Sequence, residues 1–366
     1  MYNHERRDWP DFRWSPDQLA DTLASVRHRQ GRLLGRMEAL GFPLQQEAVL
    51  QTLTSDVLKT SEIEGEKLDV EQVRSSIARC LGIAIGGLKP VDRNVEGIVE
   101  MMLDATRRYN QPLTTERLFA WHASMFPTGR SRMTRIRTGA WRDDSAGPME
   151  VVSGAIGKEH VHFVAPKADR VGGEVRRFLD GFEKGPAVDP VLKAAIAHLW
   201  FVTIHPFDDG NGRIARAIAD MALARSESSP QRFYSMSTQI RQERQHYYDI
   251  LETTQKGTMD ITRWIAWFLA CLGRAIDGAQ ATLASVMTKA RFWERAQSIP
   301  LNDRQRRVLN RLLDGFEGNL TTSKYAKLAK CSQDTALRDI LLLVECGVLV
   351  RNPAGGRSTN YSLVGQ

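Results

Sequence analysis

The chain sets His205-Pro206-Phe207-Asp208-Asp209-Gly210-Asn211-Gly212-Arg213-Ile214-Ala215-Arg216 in twelve consecutive positions. An imidazole, a carboxylate, a glycine-bounded turn and two guanidinium groups are the parts needed to hold a metal-bound nucleoside triphosphate and to deprotonate an attacking hydroxyl. The ordinary titration range of histidine suits His205 to proton transfer near neutral pH. Gly210 and Gly212 let the backbone turn sharply and approach a ligand. A helix starting near Gly212 would aim free N–H groups and its dipole at an anion. Arg213 and Arg216 are three apart, so they share a helix face and can reach phosphate oxygens through forked, charge-assisted hydrogen bonds. Asp209 is a hard oxygen ligand of the kind that holds Mg²⁺ together with substrate phosphates. Phe207 should turn inward and pin the loop, and Pro206 stiffens the backbone beside the imidazole.

Such a loop needs rigid neighbours. Asp189-Pro190 is a good helix start, and the helix to about residue 203 is apolar on most sides (Ala194, Ala195, Ile196, Leu199, Phe201, Val202), so it should be central and buried. After the motif the pattern predicts helices to about Ala224, over 237–256, over Ile261–Arg274 and over 278–297. Upstream, one helix runs from Pro16 to about Leu40, closed by Gly41, and another follows Pro43 with Val49, Leu53 and Val57 in register until Thr60. Residues 94–110 and 114–126 add two more. The glycine-rich stretch Gly139–Pro166 reads as a hairpin of Glu150–Ser153 and His160–Val164. From Leu301 the pattern is helix (Arg306–Leu313), helix (Ser323–Lys330), a third helix capped by Ser332 and ending at Gly347, then strands Val348–Arg351 and Asn360–Leu363. That order resembles a winged helix. Its third helix would bury Leu337, Ile340, Leu341 and Val344 and show Gln333, Thr335 and Arg338 to solvent, with Arg351 and Arg357 beside the wing.

The twelve residues fit the Fic motif, HxFx(D/E)GNGRxxR, at every position, and the chain resembles a Fic/DOC family protein adenylyltransferase over roughly residues 90–275. The resemblance implies a mainly α fold: a helical core with a small β-hairpin flap, here followed by a winged helix-turn-helix domain. The domains expected are an N-terminal helical region (1–89), a Fic core (90–275), a linker helix (276–300) and the winged helix (301–366). It implies ATP as substrate and Mg²⁺ as cofactor. The phosphates would lie over Gly210–Gly212, with Asn211 donating to the α-phosphate, Asp209 holding Mg²⁺, Arg213 holding the outer phosphates, and His205 taking the proton from a Ser, Thr or Tyr hydroxyl of a target protein. The hairpin at about 150–164 is similar to the flap that takes a target segment as an added strand. Tyr247 and Tyr248 fall in the helix bordering the nucleobase pocket, where they stack on the base or pack in the core. Thr60-Ser61-Glu62-Ile63-Glu64-Gly65 matches the inhibitory pattern (S/T)xxxE(G/N), through Thr60, Glu64 and Gly65. The implied brake is an ion pair between Glu64 and Arg216 that displaces the γ-phosphate. Residues 1–60 resemble an N-terminal region of some bacterial Fic proteins, for which support of the inhibitory helix is the modest role.

At 366 residues the chain has room for two or three domains. Its opening residues have no apolar run of the secretory type, and its most apolar stretch, Trp264 to Leu272, is too short for a bilayer. The four cysteines are widely spaced, with neither a CxxC pair nor a disulfide framework, which suits a cytoplasmic protein. Of the net charge of +7, the last 66 residues supply +4, from ten Lys/Arg against six Asp/Glu, which makes DNA a candidate partner of the winged helix. A homo-oligomer is a further candidate assembly. Three alternatives stand beside protein adenylylation: a DNA-binding regulator whose Fic core senses nucleotide, transfer from another donor (UTP, GTP or a CDP-linked compound), and removal of AMP by the same site.

Overall fold

The computed structural model describes residues 1–366 except 86, 132, 146, 155–159, 186, 314, 317, 354–358 and 365–366. The described residues form two compact units, residues 1–83 with 89–280, and residues 84–88 with 281–366. Both are mainly helical.

The larger unit opens with a short 3-10 turn (Asn3–Glu5). It continues through α1 (Pro16–Glu38), α2 (Phe42–Ile63), α3 (Val70–Leu81), α4 (Arg93–Arg107) and α5 (Thr115–Met125). Two antiparallel hairpins follow, β1–β2 (Arg130–Ser131, Thr134–Arg135) and β3–β4 (Glu150–Ser153, His160–Val164). Then come α6 (Ala168–Lys184), α7 (Pro190–Ile204), α8 (Asn211–Glu227), α9 (Met236–Gln242), α10 (Arg244–Gln255) and α11 (Thr262–Arg295), the last running past residue 280.

The centre of this unit is the packed pair α7 and α8. Asp189 caps α7 by accepting from Val191 N–H, and Pro190 fits the first turn, where its missing N–H is no loss. α7 is apolar on nearly every side and buries Leu199, Phe201 and Ile204 completely. α8 meets it through small residues, Ala215, Ala217, Ala219, Ala222 and Ala224, which allow close approach. α4 packs on the same helix, while α2 packs on α8 and α9, so that the C-terminal end of α2 arrives at the N-terminal end of α8. A buried ionic cluster fixes that arrangement. Arg232 binds Asp220 of α8 at 2.9 Å and Glu227 at 3.2 Å, and Asp56 of α2 accepts from Ser235 Oγ and from Ser237 N–H at 3.2 Å. Burial, reinforced by the neighbouring Asp56, pushes the Asp220 carboxyl well above the usual carboxylate range.

Several elements depart from the sequence pattern. α3 and α6 fill stretches left without an element above. The single helix expected over 237–256 breaks at Glu243, whose carboxylate accepts from Nε and Nη2 of Arg274, both at 2.6 Å, and whose backbone leaves the helical region (φ −104°, ψ 25°). The break expected between 274 and 278 is absent. Leu272, Ile276 and Ala279 continue the buried stripe of α11, and their burial outweighs the roughly 1 kcal/mol that a glycine costs inside a helix.

The smaller unit contains α12 (Asp303–Leu313), α13 (Thr322–Ala329), α14 (Gln333–Glu345) and an antiparallel pair, β5 (Leu349–Arg351) with β6 (Tyr361–Leu363), in the register Leu349↔Leu363. Its core includes Val308, Leu320, Tyr325, Ile340, Leu343 and Tyr361. Here the expected stripe of α14 needs correction. Leu337 and Leu341 are 41% and 54% exposed, and Val344 is half-buried; Ala336, Asp339, Ile340 and Leu343 face inward. Buried Asp339 explains the rotation: it accepts from Arg304 at 2.6 and 3.0 Å and from Tyr325 Oη at 3.1 Å. Gln333 and Arg338 are exposed and Thr335 is half-buried. Arg351 is exposed on β5, and Arg357 lies outside the described residues.

Candidate active site

His205 is the residue at which α7 stops. Its backbone is left-handed (φ 51°, ψ 58°), a conformation that costs a non-glycine residue of order 1 kcal/mol and marks a site held by its surroundings. The ring Nδ1 lies 3.2 Å from the carbonyl oxygen of Val202. A carbonyl only accepts, so Nδ1 carries the hydrogen and the Nε2 lone pair is the basic one. Burial lowers the imidazole to about 4, against an opposing pull from the Val202 hydrogen bond, and His205 is therefore neutral at neutral pH.

The loop between α7 and α8 is closed by its own side chains. Phe207 is fully buried and stacks on His122 at 4.2 Å between ring centres. Asn211 accepts from Phe207 N–H at 2.9 Å and donates back to Phe207 C=O at 2.8 Å. These two bonds shape the loop and leave the second Nδ2 hydrogen for a further acceptor. Gly210 has φ 82°, which only glycine adopts cheaply, and from there α8 begins. The first N–H groups of the helix, at Asn211, Gly212 and Arg213, have no intrahelical acceptors and open toward a ligand.

A carboxylate already lies against that helix end. A Cβ added to Gly212 would fall 2.3 Å from Glu64 Oε1 and 3.2 Å from the Nη1 of Arg216. Arg216, 2% exposed, donates from Nε to Thr60 Oγ1 at 2.7 Å, and from Nη2 to Thr60 C=O at 3.0 Å and to Glu64 Oε1 at 2.7 Å. Gly65 follows with φ 79° and turns the chain back, and Glu66 reaches Arg213 Nη1 at 2.8 Å. Both motif arginines are therefore paired with carboxylates from residues 64–66. Each keeps a buried donor without a protein partner among the described residues, Nε of Arg213 and Nη1 of Arg216.

Asp209 accepts from Gly210 N–H at 2.6 Å and from Ser131 Oγ of β1. One donor per oxygen leaves each a lone pair, and a half-buried hard carboxylate beside an anion site has the chemistry Mg²⁺ favours. The residues present fit that ion. Asp209 also borders a cavity of about 900 Å³ lined by Glu64, Glu66, Arg93, Phe126, Ser131 and Arg213. A groove of about 920 Å³ along α4 and α5 shares none of the motif residues.

Tyr247 and Tyr248 separate. Tyr247 is 1% exposed, lies 2.9 Å from His198 Nε2 through its hydroxyl and packs on Trp264 and Trp267, so it is a core residue and not a base-stacking one. Tyr248 is half-buried, with its hydroxyl 3.4 Å from Ile63 C=O and the Arg244 guanidinium over its ring at 5.1 Å. Three supporting residues escaped sequence reasoning besides Glu66 and Ser131. Arg142, 3% exposed, donates to His205 C=O at 2.7 Å and to Pro166 C=O. His122 lies 3.2 Å from Asp209 C=O through Nε2, accepts from Gly139 N–H at 3.1 Å, and burial lowers it to about 4. Glu252 of α10 contacts His162 of β4 at 2.6 Å. Among the described residues, His160, His162 and Glu252 are the one group with metal-ligand spacing. Ser153 on His162 and Lys256 on Glu252 already satisfy two of its members, which makes it a hydrogen-bonded latch between strand and helix.

Comparison with known proteins agrees with this geometry. The Fic/DOC family model matches residues 112–223, and a domain of unknown function, DUF4172, matches residues 2–83. A protein adenylyltransferase Fic of Culex quinquefasciatus is 35% identical over 268 residues, covering 71% of this chain and 46% of the relative. One of Caenorhabditis briggsae is 31% identical over 120 residues, covering 29% of this chain and 22% of its own length. The chain thus spans less than half the length of these curated relatives. Among solved structures, a Fic family protein from Desulfovibrio desulfuricans superposes with a TM-score of 0.51 at 21% identity, covering 94% of this chain and 96% of that one. A Fic domain containing signaling protein from Bacteroides thetaiotaomicron gives 0.52 at 20% identity, covering 71% and 97%. No helix of the described residues is long and apolar enough to cross a membrane. With its motif built on the α7–α8 turn, and with residues 112–223 matching the family model, the chain belongs to the Fic/DOC family.

Proposed function

We propose that this chain transfers AMP from ATP to a hydroxyl of a target protein and that Glu64 restrains it. The observation that carries the reading is the placement of the Glu64 carboxylate on Arg216 and over Gly212, at the open end of α8. That is where a phosphate would bind, and a carboxylate there competes with it by charge and by volume.

With Glu64 and Glu66 withdrawn, the N–H groups of Gly212 and Arg213 and the freed donors of Arg213 and Arg216 receive the phosphates. Asp209, steadied by Ser131 and His122, would hold Mg²⁺, which when bound neutralises phosphate charge. A target hydroxyl oxygen then attacks the α-phosphorus in line. Its proton passes to Nε2 of His205, the new O–P bond forms, the α–β P–O bond breaks, and pyrophosphate leaves. Positioning and electrostatic stabilisation do most of this work. Hairpin β3–β4 serves as the flap that presents the target strand, and Tyr248 borders the nucleobase. Glu66 adds a second restraint by occupying Arg213. The smaller unit is a winged helix in this reading. DNA draws less support as its partner, because the outward face of α14 carries Leu337 and Leu341.

The test is incubation of the Glu64→Gly protein with ATP labelled at the α-phosphate. Labelled protein is expected from Glu64→Gly, about tenfold or more above wild type if Glu64 withholds roughly 1.4 kcal/mol of phosphate binding, and none from Glu64→Gly with His205→Ala. Equal labelling of wild type and Glu64→Gly overturns the brake; labelling that survives His205→Ala overturns the base.

A further inference from the structure

The opening segment of the chain, Tyr2 to Phe12, forms no regular element beyond its 3-10 turn, yet Asn3, His4 and Trp9 are 0%, 4% and 4% exposed. They are buried against hairpin β3–β4 and the helices beside it. The rings of Tyr2 and His4 meet Phe163 of β4 edge-on, at 5.1 and 5.6 Å, and Phe163 is 1% exposed. His4 Nε2 lies 2.8 Å from Val164 C=O. Since the carbonyl only accepts, Nε2 is the donor.

The segment is itself held by α6. Arg170 donates to His4 C=O at 3.2 Å, Trp9 Nε1 donates to Glu174 at 2.9 Å, and Arg177 donates to Trp9 C=O at 3.0 Å. On another element, His162 of β4 contacts Glu252 of α10.

A lone two-stranded hairpin has little stability of its own. β3 is largely exposed, so the hairpin's place is set by what β4 touches. Two residues past Val164, the carbonyl of Pro166 accepts from Arg142, whose Nε donates to the carbonyl of His205. A continuous series of contacts therefore runs from His4 through Val164 and Pro166 to the backbone of the histidine at the end of α7.

We propose that residues 2–9 are a built-in positioning device for hairpin β3–β4, with His4 as its key positioning residue, which sets the target's hydroxyl against His205. This gives a role to the start of a region matched so far only by a domain of unknown function. It rests on the reading that the hairpin presents the target.

The test uses the full chain in the Glu64→Gly background. His4→Phe keeps a ring against Phe163 and deletes the donor, whereas His4→Gln keeps an N–H. Amide hydrogen exchange in 150–153 and 160–164 should speed up about tenfold in His4→Phe, reporting local opening of the hairpin. ATP affinity by calorimetry should stay within about twofold of the parent, while self-labelling at saturating ATP falls about fivefold through lost orientation. His4→Gln should restore most of both losses. Should His4→Phe lower the melting temperature of the whole chain, Tyr2→Ala replaces it with the same expectation, since it removes only a half-buried ring from Phe163. Parent-like exchange and labelling in the variant overturn the proposal, as does an ATP affinity that falls as far as the labelling. If the Glu64→Gly parent does not label at all, the transfer reading fails, and exchange with ATP affinity decides the anchor: lost protection at unchanged affinity sustains it, and unchanged protection overturns it.

Discussion

At His205 the backbone and the side chain act together. The left-handed turn ends α7 and aims the ring, Val202 fixes the hydrogen on Nδ1, and burial keeps the imidazole neutral with its pKa at about 4. The sign of the pH dependence follows. A base must be unprotonated, so activity is lost as pH falls through the folded-state value, and the limb lies well below the ordinary 6.5. Glu64 raises this imidazole by its charge, and removing it moves the limb no higher. For Glu64→Gly, the logarithm of kcat/KM is expected to be flat in His205 between about pH 6 and pH 7.5. A drop centred near 6.5 would contradict the assignment of that value. Residue chemistry of this kind was legible because the motif is contiguous. Glu66, Arg142, His122 and Ser131 were not legible, because each meets the motif across a separation of more than 60 residues that only folding closes.

At the scale of elements, the restraint depends on the end of α2 reaching the start of α8. The pattern identified both helices, since a buried apolar stripe and a proline start are local properties. It did not identify the α9–α10 break, which is governed by a pair 31 residues apart, Glu243 and Arg274, nor the continuity of α11, where tertiary burial overrides two glycines. α14 shows the same limit. Leucines look like core in a sequence, but Asp339, tied down by Arg304 and Tyr325, rotates the helix and leaves Leu337 and Leu341 outside. Chemical denaturation checks that rotation. Ile340→Ala is expected to cost about 2–5 kcal/mol through a core cavity, whereas Leu341→Gln should change stability by no more than about 0.5 kcal/mol. Comparable losses from the two would mean that the helix packs the other way round.

For the molecule as a whole, buried histidines set the response to acid. His122 and His205 are lowered to about 4 and His198 to about 3, in each case chiefly by burial. Their folded values lie below the unfolded one, so the stability they confer is present above about pH 6.5 and is lost as pH falls toward the folded values. Burial shifts Asp220 upward, which acts in the opposite sense. The three histidines outweigh it, so stability should fall on acidification toward pH 5.5, by roughly 1.4 kcal/mol per pH unit for each net proton taken up on unfolding. Calorimetric melting of the whole chain from pH 7.5 to pH 5 reads this directly, and a melting temperature that rises on acidification would contradict it. The central claim is that the Gly210–Gly212 turn and its two arginines form a triphosphate site guarded by Glu64. Titration calorimetry of wild type and Glu64→Gly with ATP and Mg²⁺ tests it most directly. The account predicts binding about ten- to a hundredfold tighter in Glu64→Gly, equivalent to about 1.4–2.8 kcal/mol, and lost again with Arg216→Ala. Equal affinity in the two proteins, or no uptake of ATP by Glu64→Gly, would contradict it.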